Sequence, residues 1–339
     1  MSTWCSRPWV GMNVNYDGAC TCCLQAIDGT TYAWFQEPWY HSGLPSIKAL
    51  INAPQLVRSR EMVAQHGLKF CRAENCDTPE PFPEPIGLGP IQASNLAMLR
   101  EDWEAGRGEL RGYPITWVIM VCNDCKMGCY MCPTVKRPTH ISQEGADLFR
   151  EVHPYLLEIV LTGGEPLRAA DSVLDGFIPQ EGKVASCIIT SLVVPTSKVE
   201  KWANRVSLLQ VSVHGPNQRI LSKIQAAPNF DLLRRNLRLA TSITGVEVIT
   251  VIMRSNVEHL VEIVELLSVL GVRRWCPVPM RNFHGPDRED IFGVARSSET
   301  DALVAHWAPR AVERAHELGI VVSDHQLWPR MRRLGLWKS

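Results

Sequence analysis

From Tyr113 onward, short apolar runs alternate with stretches of helical period. The runs Ile115–Val121, Glu158–Leu161, Ala185–Ile189, Leu208–Val213, Val246–Ile252 and Arg273–Val278 have the length of strands. Before the last of them, Glu258–Leu270 sets Leu260, Val261, Val264, Leu267 and Leu270 on one helical face. Asn256 or Val257 would start that helix, and Gly271 would close it. Six strands separated by helices predict an α/β domain with a parallel sheet, open or partly closed into a barrel. Beyond the sixth strand the pattern predicts a helix interrupted at Pro309, a short strand Ile320–Val322, and a basic tail bearing Trp328 and Trp337.

Upstream of Tyr113 the periodicity is weaker. Ala53–His66 reads as a helix and Ala93–Trp103 as a short one. Thr78–Pro90 carries five prolines. Each removes a backbone donor, so the stretch reads as a linker. Cys5 to Cys23 reads as strand, Asp17-Gly18 turn, strand, because Asp-Gly is a strong hairpin signal. The expected division is a cysteine-rich module at 1–77, linker and short helix at 78–112, the α/β domain at 113–285, and a helical extension with tail at 286–339.

Composition narrows the function classes. The chain has 339 residues, 45% of them hydrophobic, enough to bury a sizeable core. Thirty-five basic residues balance 35 acidic ones. Zero net charge disfavours a broad footprint for nucleic acid or an anionic membrane. No apolar run approaches the ~20 residues of a membrane span. Met1–Val10 lacks the apolar stretch of a signal peptide, so a cytoplasmic protein is expected. In a reducing compartment its 12 cysteines read as metal ligands, reactive thiols or small buried residues rather than disulfides.

Four of them lie close together, at Cys122, Cys125, Cys129 and Cys132. In Cys125-Lys-Met-Gly-Cys129-Tyr-Met-Cys132-Pro133, spacings of four and three positions let one loop wrap three thiolates around a cubane cluster. Three ligands on four irons leave one iron open to a substrate-side chelator, as in catalytic metal sites. A zinc site is the competing reading, although closed zinc sites favour paired C-x2-C elements. The next strand runs directly into Gly163-Gly164-Glu165-Pro166. Two glycines permit close backbone approach, and Glu165 can accept from an ammonium group. By itself that segment could equally be an ordinary strand-to-helix turn.

The two segments in this order resemble the radical S-adenosylmethionine (SAM) superfamily, over roughly Tyr113 to Met280. The resemblance implies a partial (β/α)6 TIM-type barrel with the site at the C-terminal ends of its strands. It implies that Cys125, Cys129 and Cys132 hold a [4Fe–4S] cluster, and that Gly163, Gly164 and Glu165 contact the amino group of a SAM bound to the open iron. The implied chemistry is reductive cleavage of SAM to methionine and a 5′-deoxyadenosyl radical, which abstracts hydrogen from a substrate. The electron donor would be a flavodoxin or ferredoxin. Val211-Ser-Val-His-Gly215 resembles the family's fourth-strand Ser-x-Asp-Gly segment, with His214 in place of Asp, so Ser212 becomes a SAM contact. Thr250-Val-Ile-Met-Arg-Ser-Asn256 resembles the fifth-strand segment; Asn256 is either a SAM contact or a helix N-cap. Two departures stand out: Thr190-Ser191-Leu192 replaces Thr-Asn-Gly, and Met131 replaces the aromatic residue before the third cysteine.

The N-terminal cysteines resemble a SPASM/twitch auxiliary-cluster domain placed ahead of the barrel. That implies a second [4Fe–4S] cluster on four of Cys5, Cys22, Cys23, Cys71 and Cys76. Cys22 and Cys23 compete for one position, and a structural zinc site is the alternative. Cys276, in the sixth strand, is either a hydrogen-atom donor to a substrate radical or a small buried residue. The expected function is a radical SAM oxidoreductase or tailoring enzyme acting on a small polar metabolite such as a sugar or nucleoside intermediate. A ribosomal peptide is the second substrate class. A non-catalytic metal-binding scaffold is the alternative from another class.

Overall fold

The computed structural model describes residues 5–15, 18–20, 46–67, 81–132, 140–180, 184–280 and 288–323. The chain divides into two compact units, Met1–Asp124 with Arg137–Ser186, and Cys125–Lys136 with Cys187–Ser339.

In the first unit, strands β1 (Gly11–Asn15) and β2 (Gly18–Cys20) form an antiparallel hairpin. Strand β1 also pairs in parallel with β3 (Thr116–Cys122), which pairs in parallel with β4 (Glu158–Gly163). The described part of the N-terminal module therefore shares a sheet with the first strand of the α/β domain. The reason is alternation: Met12 and Val14 are buried on the same side as Trp117, Ile119 and Val121. Helices Gln143–Phe149 and Asp171–Phe177 belong to this core. Phe149 meets Trp117 edge-on at 5.1 Å and Phe177 at the same distance. The expected strand at Cys5 is corrected: Arg7–Val10 is a helical turn, with Pro8 in its first positions.

Helices Pro54–His66 and Pro90–Glu104 also belong to the first unit. Each starts on a proline, where the missing N–H costs no helical bond. Buried Arg60 on the former donates to the carbonyls of Pro8 and Gly108, both at 2.8 Å. This long-range contact ties the helix to segments the sequence pattern leaves unconnected.

The second unit contains β5 (Ala185–Thr190), from Cys187 on, followed by β6 (Leu208–Ser212), β7 (Gly245–Ile252), β8 (Arg274–Pro279) and β9 (Val321–Val322). Each pairs in parallel with the next. Leu209, Val211, Val248, Ile252 and Trp275 are buried on one face. Gln210, Ser212, Ile249, Val251 and Val278 are only half-buried on the other. Helices Thr196–Ala203, Gln218–Ile224, Phe230–Ile243, Leu260–Val269 and Ser298–Glu317 connect or follow the strands. Pro309 does not interrupt the last of these, contrary to expectation; that helix runs 20 residues through it. A proline removes one intrahelical bond, and the buried face at Val304, Ala308, Ala311 and Ala315 keeps the helix packed on both sides of it.

Candidate active site

Two chain segments carry the cysteine triplet and the Gly-Gly-Glu-Pro residues singled out from the sequence. The first lies at the C-terminal ends of β3 and β4. Gly163 has φ 129°, a conformation that favours glycine. A Cβ there would lie 2.2 Å from the Cys122 carbonyl oxygen. One on Gly164 would lie 2.7 Å from the Asp124 carbonyl oxygen. The close approach these glycines allow is thus, within this unit, an approach to the chain's own residues 122–124. Gly164 N–H donates to the Cys122 carbonyl at 2.7 Å, and Glu165 N–H to the Asp124 carbonyl at 3.0 Å. Glu165 is buried, and its Oε1 accepts from Leu167 N–H at 3.3 Å, capping the short helical turn Pro166–Arg168.

Two side chains extend this contact: Cys122, which the spacing groups with the cluster cysteines, and Arg168, which carries no sequence signal. Cys122 is fully buried and its thiol donates to the Glu165 carbonyl at 3.1 Å. Burial pushes the Cys122 thiol up to about 11, so it stays protonated and acts as a donor. Arg168 Nε donates to Asp124 Oδ2 at 2.7 Å. Partners 44 positions apart leave no mark in local sequence pattern.

The second segment is the cysteine loop. Tyr130 N–H donates to the Ile224 carbonyl at 2.8 Å, and Ala226 N–H to the Met127 carbonyl at 2.8 Å. Met131 packs against the apolar cluster of Ile220, Ile224, Met253 and Met280, with Val251. Tyr130 is exposed. Met131 thus anchors the loop where the family more often has an aromatic residue. Cys125, Cys129 and Cys132 are half-buried. Burial pushes the Cys129 thiol up to about 12; Cys132 and then Cys125 add to the rise, and a hydrogen bond from Gln225 opposes it. Mutual influence of this kind requires the three sulfurs to be neighbours. Among the described residues no three Cys, His, Asp or Glu side chains converge tightly enough for a single metal ion. A cubane asks for a wider set, one thiolate per iron. The three-thiol donor set suits a [4Fe–4S] cluster with one iron left for a SAM chelate.

Residues further along the second unit fall into one row. Ser212 pairs with Ile249, and Ile249 with Cys276, so Ser212 and Cys276 share a face two strands apart. Ser212 is half-buried and Cys276 buried. Asn256 is buried and stands at the N-cap position of the 3-10 turn Val257–His259, but its side chain makes no capping hydrogen bond there. Its Nδ2 donates to the carbonyls of Val251 at 2.8 Å and His214 at 2.9 Å, and its Oδ1 accepts from Met253 N–H at 2.8 Å. These bonds join the end of β7 to the segment after β6. His214 is buried; its Nδ1 accepts from Val251 N–H at 3.3 Å, and burial lowers its pKa to about 4. Cys5 is half-buried in the first unit. Cys22, Cys23, Cys71 and Cys76 lie outside the described residues, as does the Trp-bearing tail.

Residues 119–267 match the Radical SAM superfamily. This stretch is a radical SAM domain. The match spans the cysteine loop and the Gly-Gly-Glu-Pro turn. No curated protein sequence matches the chain. Solved radical SAM enzymes are similar in fold. Native anSMEcpe with bound AdoMet aligns over 62% of this chain and 63% of its own, at 13% identity and a TM-score of 0.50. SuiB of Streptococcus suis aligns over 95% of this chain and 72% of its own, at 14% identity and a TM-score of 0.54. SuiB bound to its precursor peptide SuiA aligns over 95% and 75%, at 14% identity and a TM-score of 0.50. The chain thus spans under two thirds of anSMEcpe. The likeness gives the radical SAM domain its fold class, an α/β partial barrel of the TIM type. The radical SAM family uses a [4Fe–4S] cluster and SAM. Among the described residues no helix is long and apolar enough to cross a membrane.

Proposed function

We propose that this chain is a cytoplasmic radical SAM enzyme that cleaves SAM reductively and abstracts hydrogen from a substrate. The observation that carries this reading is the Cys125, Cys129, Cys132 loop after β3, followed by Gly163-Gly164-Glu165-Pro166 after β4, inside a radical SAM domain. A cluster held by Cys125, Cys129 and Cys132 would supply the one electron for reductive cleavage of SAM to methionine and a 5′-deoxyadenosyl radical, which would take the substrate's hydrogen. The three cysteines hold the irons, and Met131 with the Tyr130 and Ala226 backbone bonds keeps their loop in place. Glu165 and Gly163-Gly164 receive the amino group of SAM, and Ser212 its ribose or carboxylate. Asn256 acts through the backbone it ties down. Electrons come from a flavodoxin or ferredoxin. A second [4Fe–4S] cluster sits on four of Cys5, Cys22, Cys23, Cys71 and Cys76.

Two substrate classes remain in play. A small polar metabolite is the first class expected from the sequence. A peptide is favoured by the likeness to SuiB in complex with SuiA along 95% of this chain and to anSMEcpe in complex with a peptide. For a redox-neutral epimerisation, Cys276 would be the thiol that returns a hydrogen atom, its thiyl radical then being restored by one electron from the flavodoxin or ferredoxin and a proton from solvent. In deuterated buffer, product labelled by wild type should lose that label in Cys276→Ala.

The test is anaerobic reconstitution followed by SAM and a strong reductant, with 5′-deoxyadenosine measured by mass spectrometry. Wild type should release it, and the Cys125→Ala, Cys129→Ala, Cys132→Ala triple variant should not. Cleavage that persists in the triple variant overturns the site. A fully loaded wild type that neither binds nor cleaves SAM points instead to a metal-binding scaffold.

A further inference from the structure

Residues 122–124, which lead into the first cluster ligand, are held by four hydrogen bonds to the turn after β4, all within the first unit. Two are backbone bonds, from Gly164 N–H and Glu165 N–H to the carbonyls of Cys122 and Asp124. Two come from side chains: the Cys122 thiol to the Glu165 carbonyl at 3.1 Å, and Arg168 Nε to Asp124 Oδ2 at 2.7 Å. The side-chain pair is a choice of sequence, since the backbone bonds exist without it. The Glu165 carbonyl also accepts from the Arg168 backbone N–H at 2.9 Å, so the fully buried Cys122 thiol is a second donor that ties this carbonyl to residues 122–124 rather than to its own turn. Asp124 is joined by a peptide bond to Cys125 and places a carboxylate charge beside it. Arg168 balances that charge.

We propose that Cys122, Asp124 and Arg168 form a clasp that fixes the chain up to Asp124 and tunes the reduction potential of the cluster ligated by the next residue, Cys125. The inference rests on the radical SAM reading above. Cys122 supplies geometry. It fixes the Glu165 peptide, and thereby the carboxylate that receives the amino group of SAM, against the chain entering the cysteine loop. The ion pair supplies electrostatics. An uncompensated Asp124 carboxylate opposes addition of an electron to a nearby cluster, and an uncompensated Arg168 favours it. The pair is partly exposed, so its effect is a shift rather than an on–off switch.

The test uses the full chain, reconstituted without oxygen, in the variants Cys122→Val, Cys122→Ser, Arg168→Gln, Asp124→Asn and the Asp124→Asn, Arg168→Gln double. Iron content, the EPR spectrum of the reduced cluster with and without SAM, and the midpoint potential are measured. Valine fills the Cys122 site but donates nothing, while serine keeps a donor. The SAM concentration that half-converts the EPR spectrum should rise about fivefold in Cys122→Val and stay within about twofold of wild type in Cys122→Ser. The potential should become more negative in Arg168→Gln, less negative in Asp124→Asn, and return toward wild type in the double variant. A Cys122→Val protein that answers SAM at the wild-type concentration, or single charge variants that move the potential in the same direction or not at all, overturns the clasp. If Cys122→Val takes up no iron, the exposed-pair variants decide alone. A wild type that loads iron but never answers SAM would sink the radical SAM reading, while the opposed potential shifts would still judge the clasp.

Discussion

His214 illustrates how one buried side chain acquires a property that its sequence context does not state. It stands where the family often has Asp, yet it is buried and its Nδ1 accepts a backbone N–H from Val251. Burial penalises the imidazolium, so the folded chain keeps it neutral down to about pH 4, against 6.5 for the ordinary group. Between those values the unfolded chain binds the extra proton and the folded chain does not. Stability is therefore complete above pH 6.5 and declines as pH falls through that window, by on the order of 3 kcal/mol at its foot. The urea midpoint of the protein should drop from pH 7 to pH 5, and drop less in His214→Gln. An equal drop in both would assign the acid sensitivity to other groups. Asn256 makes the same point from another side. Its place after β7 was legible, but the choice between ligand contact and N-cap was not, because its three backbone partners are up to 42 positions away.

At the scale of elements, the periods were a reliable guide wherever one face was buried. All six strands from β3 to β8 lie where the apolar runs put them, with ends shifted by one or two residues. The helix read at Glu258–Leu270 splits into a 3-10 turn Val257–His259 and the helix Leu260–Val269. Its apolar period was visible; how its first turn closes depends on local backbone geometry. Turns are less legible because what they require depends on the neighbouring loop. Gly164 is required by the approach of residues 122–124, which only the pairing of β3 with β4 creates. Gly164→Ala should destabilise the first unit by about 1–3 kcal/mol, since backbone atoms at 2.7–2.8 Å from the new Cβ cannot swing away. A thermal melt of the cluster-free protein reads this. An unchanged melting temperature would mean that the turn can separate from residues 122–124 without cost.

For the whole molecule, the open question is the N-terminal cysteines. Strand β1 pairs with β3, so the described start of the chain belongs to the first compact unit. That pairing was not legible from the Cys5–Cys23 pattern, because period-two alternation names a strand without naming its partner. Replacing Cys71 and Cys76 with Ser should remove about half of the reconstituted iron while leaving the EPR spectrum of the SAM-binding cluster intact, as two four-iron clusters require. Unchanged iron would mean that these cysteines hold zinc or no metal.

By itself, the sequence determined the chemistry class and the strand ladder of this protein. Both are written in local signals: the spacing of Cys125, Cys129 and Cys132, the Gly-Gly-Glu-Pro turn, and apolar periods of two and 3.6. Tertiary structure alone decided that Cys122 is a hydrogen-bond donor, that Arg168 pairs with Asp124, that Met131 anchors the cysteine loop, and that β1 joins β3. Each of these joins residues far apart in the chain. A side chain's role there is set by desolvation and by the partner that packing brings to it, neither of which has a local spacing to read.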